Sequence, residues 1–377
     1  VKFCVDLIEG RSLVRYFPQE KTMFSEAIRA QMAKSIRYVE PADISAAKGE
    51  VAALYAQMER DFMVAPLLTL HASMPKLMAG VWSILRESLM AGEVERVRKE
   101  IVAAAVSKSN ECPFCVEAHT LMLHATADHD IAEAIKRGDY HAVQDPELQA
   151  LLQWSLATRK PKIVAMLPQP FSAHEAPEIT GTAIAFHYIN RMANVFLGDS
   201  LLPLPGPIRT ITHRLYAATA GKKVVRSLTP GASLRFVSEA QLPAEFAWAE
   251  QNQSIAKAFA GFAATVEEAG EVVLPANVRE LVNERLAEWH GEDMPISRRW
   301  VEDAVSDLPE TDRAAARLAL LVALASYQID DEIIEAFRYH YPFDAHLISA
   351  SAWASLAAAR RISSWLHAPT PEVVLAQ

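Results

Sequence analysis

Glycine is scarce, with 13 in 377 residues. So few breakers, in a chain rich in alanine and leucine, favour helix throughout. Cysteine is scarcer still: three in a chain of this length do not make the disulfide framework of a small secreted domain. No cluster of Lys or Arg stands out, and 37 basic against 46 acidic residues leave a net charge of -9, which argues against a nucleic-acid partner. The longest apolar run, residues 318–325, is far too short to span a bilayer. The opening stretch (VKFCVDLIEGRSL) holds no apolar core of signal-peptide length. A soluble, cytoplasmic protein with no membrane partner is the expectation.

What is present is the composition of an ordinary globule, 51% apolar and 22% charged, long enough for two domains and a large core. Apolar residues recur at helical spacing, and alternating strands bounded by turn residues are lacking. The expected fold class is therefore all-α. Residues 1–65 read as an N-terminal helical extension, with helical patterns over 24–38 and 46–62. Further helices are expected over 76–91, stopped by Gly92, then over 95–107, 131–137 ending at Gly138, 146–157 and 179–196. Residues 206–243, punctuated by Pro207, Pro230 and Gly231, read as a linker around a bridging helix at 208–220.

Two of the cysteines form a CxxC, Cys112-Pro113-Phe114-Cys115, with His119 four residues further on and Glu100 twelve residues before the pair. Ser107, Ser109 and Asn110 interrupt the preceding helix, and Ser109 or Asn110 is expected to cap a second one. Pro113 falls in its first turn, where no N–H is needed. Cys112 then lies at a helix N-terminus, whose free N–H groups favour a thiolate. Cys115 and His119 follow on one face. Glu100, in an apolar helix, is expected to have a raised pKa if buried, or else to be a solvated partner of Lys99 or Arg96.

Glu100, Cys112, Cys115 and His119, with Asn110 two residues before the first cysteine, resemble position by position the peroxidase branch of the alkylhydroperoxidase D and carboxymuconolactone decarboxylase family. The likeness is close over roughly residues 70–200 and makes 66–205 the expected catalytic domain. It implies a hydroperoxide substrate, Cys115 as the attacking thiol and Cys112 as the resolving, more exposed one. It also implies a relay through His119 and Glu100, a dithiol electron donor of lipoyl or thioredoxin type, a homo-oligomer, and neither cofactor nor metal. Some members carry a histidine between the cysteines where this chain has Phe114.

Residues 244–377 read as a faded copy of the first half. Ala260-Gly261-Phe262 is similar to Ala79-Gly80-Val81, and Glu280 stands where the first half has Glu100. Counting on, Glu292, Pro295 and Arg299 replace Cys112, Cys115 and His119. A second half of the same fold without thiol chemistry is expected.

Three alternatives to this peroxidase reading stay open. A decarboxylase-like member of the wider family needs no CxxC. A zinc-stabilised helical assembly module would use Cys112, Cys115, His119 and His124, although the two histidines lie about 140° apart on a continuous helix. Two buried structural thiols are the third. His124, His129, Glu111 and Glu117 read as surface or local electrostatics, and His187, Tyr188 and Trp154 as core or pocket wall.

Overall fold

The computed structural model describes residues 30–126, 128–201, 223–224 and 226–366. Cys4, the bridging helix expected over 208–220 and the start of that over 24–38 lie outside the described residues. The fold is all-α. Extended pairing among the described residues is limited to an isolated antiparallel bridge between Ile36 and Leu197, so the pattern read over 24–38 leaves the helix before its end.

The first-half helices are α1 (Gly49–Asp61), α2 (Pro75–Leu85), α3 (Arg96–Ser109), α4 (Pro113–Ala125), α5 (His129–Arg137), α6 (Pro146–Ala157) and α7 (Ala176–Phe196). Single helical turns, Pro66–Thr69 and Pro161–Val164, lie between them. The second half contributes α8 (Gln253–Val273), α9 (Ala276–Glu288), α10 (Arg299–Val305), α11 (Glu310–Ala325), α12 (Asp331–His340) and α13 (Asp344–Leu366). Local chemistry sets the ends. Pro75, Pro113 and Pro146 open their helices at the first position, and the Asp145 carboxylate accepts from the Glu147 and Leu148 N–H groups. Gly138 closes α5 in the left-handed conformation, φ 76°. After α2 the chain runs through a π-helical turn, Arg86–Met90, and Gly92 at φ 106° then reverses it toward α3.

Helix α7 is buried along almost its whole length, its polar side chains included. It packs against α3 on one side and α13 on the other, while α2 lies against α8. Gly80 of α2 meets the Phe262 backbone and ring of α8 so closely that an added Cβ would force the ring to give. Val81, Trp82, Phe186, Phe262, Leu321 and Trp353 belong to one continuous core spanning both halves. Each fully buried side chain of this size contributes roughly 1.5–3 kcal/mol. A smaller cluster, including Ile101, Leu123, Ile135 and Leu152, seats α5 against α3 and α6. No helix among the described residues is long and apolar enough to cross a membrane.

Candidate active site

The turn between α3 and α4 places the cysteines, and it differs from expectation. Helix α3 runs through Ser107 to Ser109, and both serine hydroxyls bond back to carbonyls of their own helix, Ala103 at 2.6 Å and Val106 at 3.1 Å. Neither Ser109 nor Asn110 caps α4, because α3 carries Ser109 and the Asn110 amide is turned to α7. Glu111 adopts φ 53°, and Cys112 itself occupies the N-cap position with Pro113 behind it. The Cys112 N–H closes the end of α3 on the Ser107 carbonyl at 3.0 Å.

The two sulfurs lie 2.6 Å apart, with the Cys112 thiol donating to Cys115. Both are buried, and Cys112, at 1% exposure, is no more open than Cys115 at 4%. The more exposed position expected for Cys112 is therefore not found. The Asn190 amide of α7 reaches its thiol, and the same helix fastens the loop before it. Asn194 on α7 donates to the Asn110 carbonyl at 3.2 Å and to the Ser326 hydroxyl at 3.0 Å, tying this loop beneath the end of α11. Burial, joined by the hydrogen bond to Cys115, pushes the Cys112 thiol well above its ordinary value. The Cys115 backbone N–H and the Asn190 amide pull the other way and are outweighed. The helix N-terminus is thus real, but it does not make Cys112 a thiolate.

Behind this loop lies a buried polar chain, of which pattern reading placed His187 as core or pocket wall and Asn110 as a helix cap. His187 on α7 binds the Asn110 amide through Nδ1 at 3.0 Å and the Thr158 hydroxyl through Nε2 at 2.9 Å. Thr158 spends its own proton on the Ser155 carbonyl, so Nε2 carries the hydrogen and Nδ1 accepts. Burial, then the nearby Arg191 and Arg159, hold this imidazole well below its ordinary pKa, in the neutral form. Asn110 also donates to the Asn190 carbonyl oxygen at 3.0 Å, which leaves the Asn190 amide for the Ser107 hydroxyl at 2.9 Å.

On the other side of the thiols, α4 meets α3 through a carboxylate–imidazole hydrogen bond. His119 Nδ1 lies 2.6 Å from Glu100 Oε2, and Arg96 Nε lies 2.7 Å from Glu100 Oε1. The Glu100 carboxylate is fully buried. Burial pushes it up, but Arg96 and His119 outweigh that and hold it below the ordinary carboxylate value. The raised pKa expected from an apolar helix is corrected here, because Glu100 is buried and also paired with Arg96. Phe186 of α7 stands edge-on to the His119 ring at 4.5 Å.

Arg96, Glu100, Cys115 and His119 all line one cleft of about 90 Å³. The rest of its wall is apolar, including Phe114, Phe186, Ile189 and Leu201. Cys112 is not part of that wall. Four of the chain's 11 methionines, Met32, Met63, Met90 and Met122, also line it.

His124 is turned elsewhere. Its Nδ1 lies 2.9 Å from His129 Nδ1 and its Nε2 lies 3.4 Å from Glu133, so it joins neither cysteine. Among the described residues no group of three or more His, Cys, Asp or Glu could hold a metal ion. Glu117 accepts from the Leu201 N–H at 2.6 Å, and Glu111 is exposed. Tyr188 and Trp154 are buried against Phe262 and Phe171 respectively, as core.

Cys115 thus shares an apolar cleft with a carboxylate–imidazole pair, and Cys112 adjoins it from outside the cleft wall. The chain is 39% identical over 337 residues to an alkyl hydroperoxide reductase of Mycobacterium tuberculosis, across 89% of this chain and 96% of that relative. It belongs to the alkylhydroperoxidase D-like family. No family model matches the chain, and no solved structure matches it.

Proposed function

We propose that this oxidoreductase of the peroxidase class reduces hydroperoxides through a dithiol–disulfide cycle at Cys112 and Cys115. The observation that carries the reading is the division of the two thiols: Cys115 shares the cleft with His119 and Glu100, while Cys112 lies behind it and donates to Cys115. His119, one helical turn on, takes the Cys115 proton, and Glu100 orients its ring. The Cys115 thiolate attacks the peroxide, breaking the O–O bond. The sulfur becomes a sulfenic acid, and the alkoxide leaves with the proton returned by His119. The Cys112 sulfur then displaces water from the sulfenic acid, closing the disulfide. Two electrons and two protons restore the dithiol, which fits a dithiol donor of lipoyl or thioredoxin type. A homo-oligomer remains part of this proposal. A decarboxylase-like reaction would leave the paired thiols without a task.

The purified protein should consume an alkyl hydroperoxide when offered suitable dithiol reductants in turn. No consumption with any of them would sink the proposal. Activity is assigned to the first half alone. Glu280, the counterpart of Glu100, is exposed, and so are Glu292, Pro295 and Arg299. Glu100→Gln should slow turnover about 10²-fold, the usual worth of a positioned acid–base group, whereas Glu280→Gln should leave it nearly unchanged. Equal losses would refute the asymmetry.

The cleft as the entry site has its own check. Thioethers oxidise to sulfoxides with hydroperoxide, and Met166, 76% exposed, is the methionine among the described residues that oxidation from bulk solvent should take first. With Cys115→Ser and excess alkyl hydroperoxide, peptide mass spectrometry should instead find Met63 and Met122 oxidised ahead of Met166. Met166 leading would mean that the peroxide does not concentrate in the cleft.

A further inference from the structure

Glu100 has two partners, and only one of them belongs to the thiol chemistry. His119 comes from α4 and takes Oε2, whereas Arg96 lies one turn back on the same helix and takes Oε1 at 2.7 Å. This is not a surface ion pair at helical spacing. The Glu100 side chain is fully buried and the Arg96 side chain only 12% exposed, its guanidinium also set over the Phe62 ring at 5.7 Å. The other charged neighbour on α3, Lys99, is turned to Glu178 of α7 at 2.6 Å. From α4 the facing groups are His119 and Cys115, and from α7 the apolar Phe186. Arg96 is therefore the permanent cation that answers the Glu100 charge.

We propose that Arg96 is a positioning residue that keeps Glu100 anionic and thereby locks His119 in the tautomer able to accept the Cys115 proton. The reasoning is hydrogen-bond bookkeeping. A carboxylate only accepts, so the hydrogen of a neutral His119 sits on Nδ1 and the Nε2 lone pair stays free. A protonated Glu100 would donate to Nδ1 and move that hydrogen to Nε2, and the base would be lost. A buried carboxyl tends toward the protonated form unless a cation opposes it. Arg96 supplies that opposition whether or not His119 is charged. Its part resembles that of a residue one step behind an acid–base triad: it touches neither substrate nor thiol and sets the state of the group that does.

This inference rests on the peroxidase reading for its meaning, and its test is arranged to separate the two. The pH dependence is read in two ways: dithiol-driven hydroperoxide consumption by the full chain, and iodoacetamide alkylation of Cys115 in a Cys112→Ser background, which needs no peroxide. In Arg96→Gln the acid limb of both profiles should move up by about 1 to 3 pH units, the effect of losing an opposite charge at this range. Well above the limb, the rates should approach those of the protein with Arg96. Arg96→Lys, which keeps the charge without the Nε contact, should fall between the two, and it carries the test alone should Arg96→Gln fail to fold. A limb that stays in place, whether rates are unchanged or uniformly lower, overturns the role given to Arg96. A shift in alkylation with no hydroperoxide consumed by any variant leaves the lock standing and removes the peroxidase proposal.

Discussion

One equivalent of alkyl hydroperoxide added to Cys112→Ser should leave a sulfenic acid on Cys115, trapped by dimedone at close to one label per chain. Cys115 lines the cleft, has His119 one turn away, and lies 2.6 Å from the Cys112 sulfur. With Cys112 gone, nothing remains to condense with the oxidised sulfur. The reverse variant should behave differently. In Cys115→Ser the remaining thiol lies outside the cleft wall, and burial holds it well above its ordinary pKa. It lacks a base of its own, so labelling should be slower by about 10² or more, the usual contribution of a positioned base. Fast labelling of Cys112 in Cys115→Ser, with Cys115 unlabelled in Cys112→Ser, would reverse the order of the thiols. The same two proteins, supplied with a dithiol reductant, should both lose catalytic turnover, because neither can form the internal disulfide.

The grouping of the four candidate residues was legible in the sequence because they lie close together in it. Glu100, Cys112, Cys115 and His119 fall within twenty residues, and helical spacing alone puts the last two on one face. The structure joins all four, and several helix limits read from caps and breakers agree with it, Pro146–Ala157 and the stop at Gly138 among them. What could not be read depends on partners remote in the chain. Arg96 and Lys99 were both possible partners of Glu100, since each lies on the same helix. Only the position of Glu178 on α7 decides that Lys99 turns away and Arg96 turns in. The burial of Cys112 likewise depends on remote residues: the resemblance implies a more exposed resolving thiol, whereas Asn190 of α7 reaches that thiol and Asn194 fastens the loop before it. The joining of Asn110, His187 and Thr158 into one chain was not legible either. Three polar residues 29 to 77 positions apart leave no periodic signal, and within an apolar helix His187 reads as ordinary core.

Lys99→Met should lower the free energy of unfolding by about 3–5 kcal/mol, as should Glu178→Gln, because each leaves one buried charge without its partner. The Lys99 ammonium lies 2.6 Å from the Glu178 carboxylate, and the side chains are 2% and 5% exposed. Burial pulls Lys99 below its ordinary pKa even against the pull of Glu178. The remaining valences are filled by backbone: Lys99 donates to the Ala91 carbonyl at 2.7 Å, and Glu178 accepts from the Glu93 and Val94 N–H groups at 2.8 and 3.2 Å. All of these lie in the turn that Gly92 reverses, just before α3 begins at Arg96. A side chain at Gly92 would collide with the Glu178 carboxylate itself. The pair thus fastens the start of α3, and with it Arg96 and Glu100, to α7, which carries Phe186 and His187. Replacing both members, in Lys99→Met with Glu178→Leu, should destabilise by less than the sum of the two single changes. No uncompensated charge then remains, although two backbone N–H groups lose their acceptor. Urea unfolding of the three variants and the parent closes the cycle. Single changes of under about 1 kcal/mol that simply add would show that solvent reaches the pair and that it does not hold α3 in place.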